Sequence, residues 1–117
     1  MKASFTSTSY TPDNLIAGDF PLKSRSMTLL SGQNLARGAV LGVVTASGKV
    51  KLSAAGASDG SEVAKFVLAE DCNASAADTA CIVYETGELL GSALTLGALH
   101  TIASVRESLR DGGILVR

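Results

Sequence analysis

A glycine-rich stretch with a Gly-Lys pair raises the possibility of phosphate chemistry. The stretch is "GQNLARGAVLGVVTASGKVKL", residues 32–52. A phosphate-binding loop has four residues between its first glycine and the Gly-Lys pair, and a Ser or Thr follows to reach a metal ion. Here five residues separate Gly42 from Gly48, and Val50 follows the lysine. The spacing therefore excludes such a loop, and the β-branched run before Ala46-Ser47-Gly48 predicts a β-hairpin.

Residues for acid–base or nucleophilic catalysis are present but form no recognisable set. The sole histidine, His100, has no nearby nucleophile and carboxylate in the sequence, and no serine lies in G-x-S-x-G. The carboxylates fall mostly at predicted turns or strand ends, where we expect them to be solvated. Glu70-Asp71 lacks the regular oxygen-ligand spacing of a calcium loop. We therefore predict no catalytic residues, no metal site and no cofactor.

Two cysteines are the remaining reactive side chains. Cys72 and Cys81 flank the polar segment "NASAADTA" and could face each other across a loop. There is no CxxC pair and no cysteine–histidine cluster, so a structural zinc site lacks its ligands. The sequence leaves two alternatives, a disulfide or two partly buried thiols, and a reducing cytosol favours the thiols.

Composition limits the classes of partner. The 117 residues suffice for one domain with its own core, and the net charge is −1. Nucleic-acid binding needs a concentrated excess of Lys and Arg, which is missing here. No apolar run approaches the roughly 20 residues of a membrane span, and the first ten residues lack an apolar signal core. We expect a soluble protein made inside the cell, with neither nucleic acid nor membrane as its partner.

The pattern of short apolar runs and turn signals predicts a mainly β fold. We expect a small irregular β-barrel, or a β-clip-like domain, with one short C-terminal helix. Apolar residues recur at helical spacing from Leu99 to Leu109, Glu107 and Arg110 can pair on the outer face, and Gly112-Gly113 ends the helix. The predicted strands lie in "SMTLLSG", on both sides of Ala46-Ser47-Gly48, around Phe66 to Ala69, in "ACIVYETGELL" and in "ILVR", with turns at 54–61 and at Glu85 to Glu88, around Thr86-Gly87.

The first 22 residues differ in composition from the rest. They are rich in Ser, Thr, Asp and Asn and have no strand or helix periodicity, so we divide the chain into an extended N-terminal arm, 1–22, and a β-rich domain, 23–117. Three of the five aromatic residues lie in this arm, which is typical of segments that become ordered on a partner. The candidate docking residues are Phe5, Tyr10, Leu15, Ile16 and Phe20. The alternative, an N-terminal strand that packs on its own domain, remains open.

The order of segments in the body resembles a known family. "LARGAVLGVVTASGKVKL", "DGSEVAKFVLAEDC", "ACIVYETGELL" and "SLRDGGILVR" follow one another as in the bacteriophage head decoration proteins. The similarity covers most of residues 24–117. It rests on Arg37-Gly38, Leu41-Gly42, Asp59-Gly60, Ala69-Glu70-Asp71, Gly87 and Gly113-Ile114. The chain departs from the type member in the sequence of its arm and in having no tryptophan.

The resemblance implies a non-enzymatic structural protein. Members of the family form homotrimers on the outside of the expanded phage head and cement the major capsid protein against the pressure of packaged DNA. Their N-terminal arm is mobile in free trimers and becomes ordered on the capsid. By this resemblance the partner is the major capsid protein of the same phage, the location is the outer surface of the virion, and the five arm residues above are capsid-binding.

Two other functions are weighed against this one. A trimeric β-fold nucleotide hydrolase would need an aspartate to orient water and groups that hold phosphates, and only Asp59-Gly60-Ser61 hints at such a site. A tail or fibre accessory protein, or an adhesion module, would share the small β core and would differ by its position on the virion.

Overall fold

The computed structural model describes residues 15–16 and 22–117. These residues form eight strands, one α-helix and one short 3₁₀ helix. The strands are β1 (Lys23–Leu29), β2 (Asn34–Leu35), β3 (Val40–Val43), β4 (Val50–Leu52), β5 (Phe66–Leu68), β6 (Cys72–Asn73), β7 (Thr79–Leu89) and β8 (Ile114–Val116). The α-helix α1 is Ile102–Gly112, and the 3₁₀ helix is Gly91–Ala93.

Five strands close into a small barrel. Their order is β1-β4-β3-β5-β7, and β7 returns to β1 through an antiparallel ladder that joins Lys23–Leu29 to Thr79–Thr86. β8 joins the far end of β7 as a parallel partner, and β2 pairs with β6 in a separate two-stranded sheet. The predicted mainly β barrel with one C-terminal helix is confirmed, and so is the hairpin of β3 and β4 around Gly48.

Two apolar clusters lie on opposite faces of the central strands. Val40 and Val67 belong to the cluster that includes the helix, whereas their neighbours Leu41 and Leu68 belong to the other cluster. Successive side chains of a strand point to opposite faces, so β3 and β5 are buried on both sides. This explains why "AVLGVV" and "FVLA" are nearly continuous apolar runs rather than alternating ones.

The helix begins later than the sequence pattern indicates. Thr101 is its N-cap, and the side chains of Thr101 and Ser104 satisfy each other's backbone amides in a capping box. Leu99 therefore lies outside the helix, with a φ of 67° and 82% of its surface exposed, and its predicted place on the buried face is wrong. Gly113 ends the helix at a φ of 105°, and Glu107 pairs with Arg110 at 3.7 Å, as predicted.

The predicted turn at Thr86-Gly87 is also wrong, because both residues lie inside the eleven-residue strand β7. At this point β7 leaves the ladder with β1 and begins to pair with β8. Gly87 has a φ of 154°, and a Cβ there would lie 2.6 Å from Cδ1 of Leu22. Gly87 thus allows the side chain of Leu22 to pack closely against the strand. The local sequence does not distinguish such a strand glycine from a turn glycine.

One carboxylate contradicts the expectation that these groups are solvated. Glu88 is 8% exposed and forms an ion pair with Arg117, next to the paired ends of β7 and β8. A buried carboxylate needs such a partner because burial of an isolated charge is costly. The pair therefore helps to hold the last strand on the body.

Candidate functional site

The candidate site is the N-terminal arm, and the structure describes the point where it meets the body. Leu15 is 3% exposed and belongs to the core cluster that also contains Leu89, Val105 and Leu109. The carbonyl oxygen of Leu15 accepts a hydrogen bond of 2.7 Å from the amide of Leu90. Burial of one leucine side chain contributes roughly 1.5–3 kcal/mol, so this contact is a firm attachment.

Ile16 extends the attachment by one residue. It forms an antiparallel bridge with Leu89 and packs against the same cluster while remaining partly exposed. Leu89 pairs with Val116 of β8 as well. The body therefore includes two residues of the segment that the sequence analysis assigned to the arm.

Phe5, Tyr10 and Phe20 lie outside the described residues. Of the five candidate docking residues, the structure thus brings together only Leu15 and Ile16, which meet on the body beside Leu89. Residues 1–14 precede this attachment. A fully extended chain of that length reaches at most about 50 Å, which is comparable to the width of a small domain.

The body also exposes apolar side chains that the sequence did not indicate. Among the described residues, the large hydrophobic side chains that are most exposed are Leu22, Val63 and Leu99. The positive φ of Leu99 is unfavourable for a residue with a Cβ. Leu99 was interpreted as a core residue because its spacing to Ile102 is helical, and nothing in its own sequence neighbourhood marks the exposed position.

The polar residues with catalytic potential hold loops together. The Nε2 atom of His100 lies 3.0 Å from the hydroxyl oxygen of Ser53 and 3.0 Å from the carbonyl oxygen of Glu62, and Nδ1 lies 2.9 Å from the hydroxyl of Ser104. Ser53 is fully buried and donates its own hydrogen to the carbonyl oxygen of Ser61. His100 thus joins the loop before β5 to the start of the helix.

Asp59 has a structural role as well. Hydrogen bonds from the hydroxyl and the amide of Ser61, aided by the Lys51 ammonium 3.5 Å away, lower the pKa of Asp59 to about 2. The following residue, Gly60, has a φ of 101°, and a Cβ there would lie 2.0 Å from Oγ1 of Thr45. The Asp59-Gly60-Ser61 stretch is therefore a tightly packed turn.

A surface recess of about 570 Å³ lies between β5, β7 and the end of the helix. Its charged lining residues are Arg25, Lys65, Glu85 and Asp111, two of each sign. Arg25 pairs with Glu85 at 3.5 Å and lies over the ring of Phe66. Because phosphate groups are bound by an excess of positive charge and by convergent amides, this balanced lining does not indicate a nucleotide site.

Residues 15–16 and 22–117 lack two further kinds of site. These residues contain no cluster of three or more His, Cys, Asp or Glu side chains that could hold a metal ion. No helix among them has the length and apolar character needed to cross a membrane.

The residues that carry the family resemblance build the body. Arg37 donates its amide hydrogen to Asp71 at 2.8 Å and its Nε hydrogen to the carbonyl oxygen of Ala69 at 3.1 Å. Its guanidinium also donates to the hydroxyl of Tyr84 at 3.0 Å. Gly38 donates to the carbonyl oxygen of Leu68. The two separated motifs, Arg37-Gly38 and Ala69-Glu70-Asp71, thus meet in space and join the barrel to the small sheet.

Comparison with known proteins supports the family resemblance. The family model of bacteriophage lambda head decoration protein D matches residues 4–113, which includes most of the arm. No curated protein matches the chain. The family is one of structural components of the phage capsid and is not an enzyme family. The chain belongs to the bacteriophage lambda head decoration protein D family and has a phage capsid decoration role.

Proposed function

We propose that the protein binds as a homotrimer to the outside of the expanded head of its own phage, contacts the major capsid protein and stabilises the shell against packaged DNA. The observation that carries the proposal is the family match over residues 4–113. The role requires binding surfaces and no reaction. We therefore expect no catalytic activity, no cofactor, and neither nucleic acid nor membrane as a partner.

The arm provides the docking element in this proposal. We assign capsid contact to Phe5, Tyr10 and Phe20, because aromatic side chains supply large apolar contacts for a segment that is ordered on binding. Leu15 and Ile16 attach the arm to the body, since Leu15 has almost no surface left to offer. This division narrows the sequence hypothesis, in which all five residues contact the capsid.

Strand addition is the binding mode that best fits such an arm. An extended arm can add a strand to an exposed sheet edge, where main-chain hydrogen bonds provide affinity and alternate side chains provide selectivity. The body itself has an edge of this kind along β1. One side of β1 pairs with β7 over its whole length, whereas on the other side only Leu29 pairs with β4 and no described strand pairs with residues 23–28. Three arms on one trimer would act together, so that modest binding by each arm gives slow release.

The hydrolase alternative loses its candidate site. Asp59 is held by Ser61 and Lys51 in a turn, so its carboxylate is already engaged. The recess beside β5 carries balanced charge and lacks the positive excess that would hold phosphates. A turnover assay across nucleotides with magnesium is expected to show no product formation. The tail, fibre or adhesion alternative would be supported by electron microscopy that shows the protein away from the head.

Co-sedimentation tests the proposed function. Purified protein is mixed with expanded and with unexpanded heads that lack the decoration protein, and the particles are pelleted. We expect the protein to pellet with expanded heads and to stay in solution with unexpanded ones, because the proposal places it on the expanded head. Equal amounts in both pellets, or none in either, would contradict the proposal.

A further inference from the structure

The two cysteines lie on facing segments of the body. Cys72 begins β6 and Cys81 is the third residue of β7, and they are 8% and 5% exposed within the same apolar cluster. The Cys72 thiol donates a hydrogen bond of 3.6 Å to the carbonyl oxygen of Ala80, the residue that precedes Cys81. The fold therefore places the Cys72 thiol beside the backbone of the segment that carries Cys81, within one apolar cluster.

The thiols also interact with each other. Burial, with smaller contributions from the electrostatic and hydrogen-bonding interactions with Cys72, raises the pKa of Cys81 to about 11. Cys81 is therefore protonated at neutral pH and is a poor nucleophile by itself. Both cysteines are free thiols in the structure.

Hydrogen bonds and an ion pair hold the loop between Cys72 and Cys81 near both of its ends. Asp78 accepts a hydrogen bond of 2.8 Å from the amide of Ser31 and pairs with the Lys49 ammonium at 2.5 Å. The side chain of Asn73 accepts a bond from the amide of Ser75, which shapes the start of the loop. The fold thus already holds the two cysteine-bearing segments beside each other, which is part of the ordering that disulfide formation requires.

We propose that Cys72 and Cys81 form a disulfide site, which a low-molecular-weight disulfide oxidises once the capsid has left the reducing cytosol of the host. The Cys72 thiol loses its proton to solvent, and the resulting thiolate attacks one sulfur of the oxidant and displaces one thiolate, which takes up a proton. The Cys81 sulfur then loses its proton to solvent, attacks the Cys72 sulfur and displaces the second thiolate. Two protein thiols become one disulfide, and one oxidant molecule becomes two thiols.

The consequence is a more stable body on the released particle. The bond would close a loop of about ten residues and so restrict the unfolded chain. For a domain of this size, that restriction corresponds to a rise of roughly 10 °C in Tm. Oxidant reaches the buried thiols by local opening of the mostly exposed segment 73–80. The setting on a released particle rests on the proposed function, whereas oxidation of the purified chain tests the disulfide site independently of trimer formation and capsid binding.

The test incubates the purified, folded full-length chain with oxidised glutathione. We expect a mass lower by two hydrogens, a proteolytic fragment that links Cys72 to Cys81, and the higher Tm, all reversed by a reductant. The Cys81→Ala variant is expected to retain glutathione on Cys72 and to show no rise in Tm. The double variant Cys72→Ala/Cys81→Ala provides the baseline, because the oxidant has no thiol to act on.

Three results would overturn the proposal. The first is an intact chain that keeps two free thiols after prolonged exposure to the oxidant. The second is a chain that carries only glutathione adducts or disulfides between molecules. The third is an internal disulfide that lowers Tm, since the bond would then distort the body. If the alanine variants fail to fold, the linked fragment and the Tm of the wild-type chain still decide the question.

Discussion

Replacement of Gly42 by alanine is expected to lower the free energy of unfolding by about 3 kcal/mol or more, at the upper end of the cost of overpacking. Gly42 is paired with Lys51 in the hairpin of β3 and β4. A Cβ at this position would lie 2.0 Å from the carbonyl oxygen of Ser61 and 2.6 Å from its carbonyl carbon. Both atoms belong to the backbone, so no side chain can move aside, and the strand itself must shift.

Gly56→Ala is the matched control for this prediction. A Cβ there would meet only Cδ1 of Leu99 at 3.7 Å, which is an ordinary contact. We expect a change of at most about 0.5 kcal/mol, as for most surface substitutions. Urea unfolding followed by circular dichroism measures both variants. Similar unfolding free energies for the two would show that β3 does not pack on the Ser61 backbone as described.

Leu15→Ala is expected to lower the free energy of unfolding by about 2–4 kcal/mol, in the range for removal of a buried leucine. The reason is that Leu15 is 3% exposed within the cluster of the helix, β7 and β8. So large a loss of stability would be unusual for a residue that precedes the first strand of the barrel, because terminal segments seldom contribute to the core. It would also distinguish attachment of the arm from its docking, since the substitution leaves the aromatic residues intact.

Leu99→Ala serves as the comparison, because the same side chain is removed where it is 82% exposed. We expect its free energy of unfolding to stay within about 0.5 kcal/mol of the wild type. Equal losses for the two variants, measured by urea unfolding, would contradict the burial of Leu15 in the body.

Features encoded locally were predictable from the sequence. The β3–β4 hairpin has a turn at Ala46-Ser47-Gly48 between β-branched residues, and Gly48 adopts the positive φ of 73° that such a turn requires. The end of the helix was likewise marked by Gly113, whose left-handed conformation few other residues adopt. In these places one short segment determines its own conformation.

Features that depend on distant contacts were not predictable. Gly87 looks like a turn residue, but it pairs with Ile114 inside β7 and packs closely against Leu22, and both partners lie far away in the sequence. Leu15 belongs to a polar segment without periodicity, and its burial depends on β3, β7 and the helix. The helix start was misplaced because its capping box has Ser104 at the third position instead of the usual Glu or Gln.

We propose that the residues of the chain have two separate roles, one in the body and one in the arm. Arg37, Asp71, Gly60 and Gly113 are explained by contacts or conformations within the body. Phe5, Tyr10 and Phe20 lie outside the described residues, and we propose recognition of the shell as their role because aromatic side chains suit a segment that becomes ordered on a partner. If this division is correct, arm variants such as Phe5→Ala and Tyr10→Ala should weaken head binding and leave Tm unchanged.

The most direct measurement compares the full-length chain with one that lacks residues 1–13, in binding to expanded heads. The truncated chain keeps Leu15 and Ile16, so its Tm and its oligomeric state should equal those of the full-length protein. We expect its affinity for expanded heads to fall by about 100-fold or more, because the proposed trimer would lose three docking elements at once. A folded truncated protein that saturates the heads at the same concentration as the full-length chain would contradict the account.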